Sequence, residues 1–206
     1  TGLGALELGG ATANTYTGDT TVNEGTLLLN KGTGTGGVTA MQGRLFIGDA
    51  NATQATIGFA ITDVVRWMQD HQLPDLLAPV EVRNTGWMDL NGFNETIGVV
   101  DALDALSVLG AATVTTGTGT LAINGNILAT NTAQGASLWT PRVGSAISGN
   151  LNLGSVMRTI NVSDVSELPV ELTISANISG TGGLRKSGGG MMLLTGNNTY
   201  SGTTFL

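Results

Sequence analysis

The chain has 206 residues, a formal charge of −7, and only 11% charged against 41% hydrophobic residues. Its eight basic residues form no stripe, so nucleic-acid and anionic-membrane partners have no electrostatic basis, and the absence of cysteine excludes disulfides, thiolate catalysis and cysteine metal sites. Glycine is abundant, at 32 residues, and aromatics supply 4%, yet the apolar share is too high for a disordered chain and suits a narrow core of Leu, Val, Ile and Ala.

In chain order, the first clear phrase is "NTYTGDTTVNEGTLLLN" from Asn14. Thr20–Val22 reads as extended, Asn23–Gly25 as a turn and Thr26–Asn30 as extended again, because Asn and Gly accept the backbone that tight turns need. "GRLFIGDAN" (43–51) repeats that pattern. "AITDVVRWMQDHQLPDLLAPVEV" (60–82) departs from it. There Ile61, Val64, Val65 and Met68, with Trp67 as a further candidate, fit helical spacing, so a short helix or a loop insertion is expected near 61–73, stopped by Pro74. "VEVRNTGWMDLNGFNETIGVV" (80–100) returns to short strands, and "DALDALSVLGA" (101–111) fits either a helix or a loop and strand. Strand and turn signals then alternate through 112–128, 145–155 and 171–196 to the final "NTYSGTTFL" (198–206). No run reaches the ~18 apolar residues of a membrane helix, and any export signal is expected upstream of Thr1.

Distant segments resemble one another. "GALELGG" followed by "NTYTG" near the start matches "GMMLLTG" followed by "NTYSG" near the end. Such recurrence predicts a solenoid, in which each coil buries its inner face only against its neighbours. The expected organisation is one all-β module over 1–206, a β-solenoid of roughly nine coils with incomplete coils at both ends.

Chemistry is sparse. Asp63, Arg66, Asp70, His71 and Asp75 form the densest polar cluster. On a helix, Asp63, Arg66 and Asp70 would lie together as an acid/base set, or simply as its polar face, and the polar face is the expectation. The one histidine cannot build a multi-histidine zinc centre. "IGDAN" and "TGDTT" lack the repeating aspartates of calcium-binding β-rolls, and "GTGTGG" and "SGGG" lack the Walker lysine. Asn-x-Ser/Thr triplets at Asn51, Asn94, Asn161, Asn177 and Asn197 are read as turn residues that stack coil on coil. Trp67, Trp87 and Trp139 offer either a sugar-stacking surface or plugs for the core, and the second is expected. No catalytic residue, metal ligand or cofactor is expected.

"NTYTGDTTVNEGTLLLNKG", "DLNGFNETIG" and "GGLRKSGGGMMLLTGNNTYSGTT" closely resemble the autotransporter-associated β-strand repeat proteins, large bacterial surface or secreted proteins. That resemblance implies a right-handed parallel β-helix with an extracellular structural or adhesive role, and brings no catalytic motif. The expected function is a non-enzymatic fibre or stalk module. A carbohydrate-binding surface adhesin is the alternative, and a carbohydrate-active β-helix enzyme a third reading. Written tail before head, "NTYSGTTFL-TGLGALELGG" parallels "NTYTGDTTV-NEGTLLLNKG". The expected self-association surfaces are therefore Leu3, Leu6 and Leu8 at the head and Tyr200, Thr203, Thr204, Phe205 and Leu206 at the tail. The partner would be another copy or neighbouring repeats of a longer chain, with surface glycans a further option, and no nucleic acid or membrane insertion.

Overall fold

Short apolar runs punctuated by Gly, Asn and Thr become short strands. The computed structural model describes residues 4–32, 38–49, 63–75, 80–98, 104–130, 143–165 and 168–206. Its strands are β1 (Ala5–Gly10), β2 (Thr20–Val22), β3 (Gly25–Lys31), β4 (Leu45–Ile47), β5 (Asp63–Trp67) and β6 (Val80–Arg83). There follow β7 (Gly86–Asp89), β8 (Glu95–Ile97), β9 (Asp104–Leu109), β10 (Thr113–Ile123), β11 (Asn126–Thr130) and β12 (Ser145–Asn152). The last are β13 (Arg158–Val162), β14 (Leu172–Ile174), β15 (Asn177–Ser179), β16 (Leu184–Ser187), β17 (Met192–Leu194) and β18 (Thr204–Phe205).

These strands form two sheets. One runs β1-β3-β5-β7-β10-β12-β14-β17, with β8 also on β10 and β15 also on β12; the other runs β2-β4-β6-β9-β11-β13-β16-β18. Every pairing is parallel. The chain crosses from one sheet to the other and returns one rung further on, which is the path of a parallel β-solenoid. The long returns, from Leu27 to its partner Val65 and from Val114 to Ile147, span the undescribed segments 50–62 and 131–142.

Parallel register stacks like on like. In the first sheet Leu6, Leu27, Val65, Met88, Val114, Ile147, Ile174 and Leu194 follow one another rung by rung. In the second, Val22, Ile47, Val82, Val108, Ala129 and Val162 do the same. The strand period of two sends alternate residues inward, so these columns form a continuous aliphatic core between the sheets. Turns are equally tight. A Cβ on Gly48, whose φ is +95°, would stand 2.0 Å from the Arg83 carbonyl oxygen of the next coil. Only glycine lets the backbones meet there.

The helix expected near 61–73 is not formed. Asp63–Trp67 is a strand with Asp63, Val65 and Trp67 inward and Val64 and Arg66 outward. Hydrogen-bonded partners on both edges, β3 and β7, and the β-branched pair Val64–Val65 override the helical spacing. Ile61 lies outside the described residues. After Trp67 the chain leaves the sheet as a loop through 68–75, so the loop alternative holds for that part. Residues 104–109 likewise resolve as strand β9.

The loop has a consequence for the rung it abandons. Beyond Leu29 the strand β3 has no strand partner on that side, and the Gln72 side chain takes its place. Its Oε1 accepts the Lys31 N–H at 2.6 Å and its Nε2 donates to the Lys31 carbonyl at 3.0 Å. A buried amide thus imitates one residue of a strand.

The columns make a direct prediction. Ile147→Ala, in the middle of one column and fully buried, should lower unfolding free energy by about 2–5 kcal/mol. Ser148→Ala, its outward neighbour, should change it by less than about 0.5 kcal/mol. Urea unfolding of both variants provides the check; equal effects would contradict the inward assignment.

Candidate functional site

A carboxylate lies inside the solenoid. Alternation in β8 puts Glu95 on the inward side with Ile97, and the side chain is buried beside Leu121 of the next rung. Its Oε2 accepts three hydrogen bonds, from Trp67 Nε1 at 2.7 Å and from the backbone N–H groups of Gln72 at 2.7 Å and Leu73 at 3.0 Å. Its Oε1 accepts the Thr96 N–H at 2.9 Å. Burial outweighs the pull of these donors and holds the carboxyl up at about 7. The same carboxylate therefore fastens the 68–75 loop to the coil. Asn94 adds two further ties: its N–H donates to Asp70 Oδ1 at 2.6 Å, and its carbonyl accepts the His71 N–H at 2.9 Å. His71 takes a left-handed backbone, with φ of 52°. Its imidazole, the Asp75 carboxylate and the Glu95 carboxylate each bring one ligand atom within 4.8 Å of the other two.

The two ends of the solenoid form the other candidate surface. Among the described residues, β1 pairs only with β3 and β2 only with β4, while β17 pairs only with β14 and β18 only with β16. Within that set, each end presents one free edge from each sheet. Leu6 and Leu8 stand directly on Leu27 and Leu29. Leu6 is 62% exposed whereas Leu27 is 5% exposed, although both occupy the same inward column. At the other end Thr204 stands on the inward Leu184, and alternation places Leu206 on the same side, 98% exposed. Phe205 faces outward, its ring centroid 5.8 Å from the Arg185 guanidinium carbon. Tyr200 is half-buried against the core, and the exposed Thr203 uses its carbonyl to accept the Leu184 N–H at 3.0 Å. Leu3 lies outside the described residues.

The repeated phrase is built the same way twice. Tyr16 and Thr20 share a hydroxyl hydrogen bond of 3.1 Å, and Tyr200 and Thr204 share one of 2.7 Å. Asn14 Nδ2 donates to the Ala40 carbonyl, and Asn198 Oδ1 accepts the Ile178 N–H, so each motif's asparagine is tied to the adjacent coil. In each case a strand of the first sheet precedes the motif and a strand of the second follows it. Residues 1–29 and 184–206 match the passenger-associated-transport-repeat family. No curated protein and no solved structure matches the chain.

Both ends of the chain are thus similar to passenger-type repeats. Between these matched stretches, the polar cluster read from the sequence is dispersed by the strand. Asp63 points inward and accepts a hydrogen bond from the Thr85 hydroxyl, while Arg66 points outward, pairs with Asp89 at 2.7 Å and lies over the Trp87 ring. Asp63 and Arg66 therefore do not form an acid/base set. Asp70 serves Asn94, and only His71 and Asp75 converge, on a third residue that the sequence reading missed. Glu95 left one signal: it shares the inward face of its strand with Ile97, where a charge is unexpected.

The triplet asparagines do stack coils. Asn94 Oδ1 accepts the Thr120 N–H at 3.0 Å, and Asn177 Oδ1 accepts the Asn197 N–H at 2.9 Å. Asn161 is exposed, and Asn51 lies outside the described residues. Trp67 is wholly buried, as a core plug should be, whereas Trp87 is half-buried on the outer face. Trp139 lies outside the described residues. Asp19 of "TGDTT" pairs with Arg44 at 2.8 Å, and that guanidinium holds its carboxyl below the usual range.

Replacing Glu95 by Gln puts an amide N–H₂ where only acceptors fit, leaving at least one buried donor unpaired. Glu95→Gln should lower unfolding free energy by about 1–3 kcal/mol. Trp67→Phe, which removes one of the donors and leaves a cavity in the core, should also destabilise. Denaturant titration at one pH tests both; a neutral Glu95→Gln would contradict the described hydrogen-bond set.

Proposed function

We propose that this chain is an extracellular structural segment of a bacterial secreted or surface passenger, a stalk or fibre element continued at both ends by coils of its own kind. The observation that carries this reading is the interrupted column at each end. Leu6 is exposed where the next member of its column, Leu27, is buried, and the far end stops on the half-coil that the near end completes with β3. Like coils satisfy both needs of such an edge. They supply parallel backbone partners for unpaired N–H and C=O groups, and aliphatic side chains for the open column. Leu6, Leu8, Thr204 and Leu206 would lie in that junction, with Tyr200 and Thr203 bracing it from the motif beside it and Phe205 at its outer margin. The covering coil comes from a second copy or from an adjoining repeat of a longer chain. No catalytic step belongs to this reading. The glycan-binding alternative gains nothing from the described tryptophans, since Trp67 is core and the Trp87 ring is covered by Arg66.

Sedimentation velocity over a range of concentrations tests the second copy. Association should strengthen with concentration, and Leu6→Asp should weaken it by about tenfold or more, because a charge would enter an apolar contact. A tandem fusion of two copies tests the adjoining repeat: it should unfold at higher denaturant than one copy, as coupled solenoid units do. A chain that stays monomeric at every concentration, together with a fusion no more stable than a single copy, would overturn the reading.

A further inference from the structure

Three side chains on two separate segments point at one spot without bonding to each other there. The ligand atoms of His71, Asp75 and Glu95 lie within 4.8 Å of one another, yet the ion pairs among the described residues are Arg44–Asp19, Arg66–Asp89 and Arg83–Glu81, and none joins two of the three. The imidazole of His71 and the carboxylate of Asp75 make no hydrogen bond to any described residue, although His71 is half-buried. No pair among the three is hydrogen-bonded, yet all three ligand atoms lie close enough for one ion to draw them together by small side-chain rotations. Two bonds of ~2.0–2.2 Å to a shared ion place their ligand atoms roughly 3–4.4 Å apart.

Charge supports the same assignment. Glu95 is buried, 1% exposed, with four N–H donors but no lysine or arginine paired to it. Buried carboxylates are normally paired or bound to a metal. We propose that His71, Asp75 and a carboxylate oxygen of Glu95 bind one divalent transition-metal ion of the zinc class, which clamps the 68–75 loop to the coil carrying β8. Oε1 has the more acceptor capacity to spare, accepting one hydrogen bond against three at Oε2. Two carboxylates and a neutral imidazole bring the charge around a divalent ion to zero. An imidazole nitrogen with only two carboxylates suits Zn²⁺ better than Ca²⁺ or Mg²⁺, which take six or more oxygen-rich positions. A water completes the fourth position.

The surroundings hold the ligands in place. The Trp67, Gln72, Leu73 and Thr96 N–H groups orient the Glu95 carboxylate, as outer-shell donors do at metal sites. The backbone ties from Asn94 to Asp70 and His71 fix the loop that carries the imidazole. Asp75 is exposed at the loop's end, one residue past Pro74, and closes the set by a side-chain rotation. A single histidine cannot make a multi-histidine centre, but a set of one histidine and two carboxylates needs no second one.

Isothermal titration of the chelator-treated chain with ZnCl₂ provides the test, alongside His71→Gly and Asp75→Ala. Glycine keeps the left-handed backbone at 71 while removing the ring, and neither side chain holds another bond, so both variants should unfold in chelator as the unaltered chain does. The unaltered chain should bind one Zn²⁺, and each variant should bind it at least about tenfold more weakly. Absence of stoichiometric Zn²⁺ binding would overturn the proposal, as would either variant binding Zn²⁺ like the unaltered chain, or Ca²⁺ binding more tightly than Zn²⁺.

Discussion

Every coil of this protein depends on its neighbour for backbone hydrogen bonds. Parallel strands cannot pair within their own coil, so the N–H and C=O groups of each turn are satisfied one rung away. That constraint fixes the rest. It forces equivalent residues into columns, and columns must be uniform in character, because each side chain rests on the one below. The succession from Leu27 through Val65, Met88, Val114 and Ile147 to Ile174 is the result. Asparagine follows the same logic at the turns, where a side-chain amide can reach the backbone of the next coil and extend the ladder past the strand ends.

Polar groups inside such a column are tolerated only with complete partners. Gln72 replaces the strand that turns away after Trp67, and Glu95 gathers donors from three neighbouring stretches of chain. Both lie where the 68–75 loop leaves and rejoins the wall of the solenoid. The irregular part of the fold and its buried polarity are thus one feature. A loop that interrupts a rung leaves backbone groups stranded, and buried side chains of the right chemistry restore them.

Much of this was legible in the sequence, for physical reasons. Short apolar runs such as "GTLLLN" and "TLAIN", bounded by Gly, Thr and Asn, are the length of strands rather than helices, and the echo of "NTYTG" in "NTYSG" reveals the repeat. The segment around Val65 misled because its outward position 64 is also apolar. A strand with valine on both faces matches helical spacing as well as its own. Glu95 was hidden for the opposite reason. A charged residue two positions from an isoleucine says nothing of its donors, since Trp67, Gln72 and Leu73 reach it only through the stacking of coils distant in sequence. The convergence of His71 and Asp75 on Glu95 was invisible for the same reason.

Amide hydrogen exchange, resolved along the chain, probes the central claim that each coil is held by its neighbours. Protection should be graded by distance from the free edges. Amides of β7, β10 and β12 should exchange most slowly and those of β1 and β18 most quickly, with protection at both edges rising when the chain associates or is fused in tandem. Uniform protection from β1 to β18, unaltered by association or fusion, would contradict it.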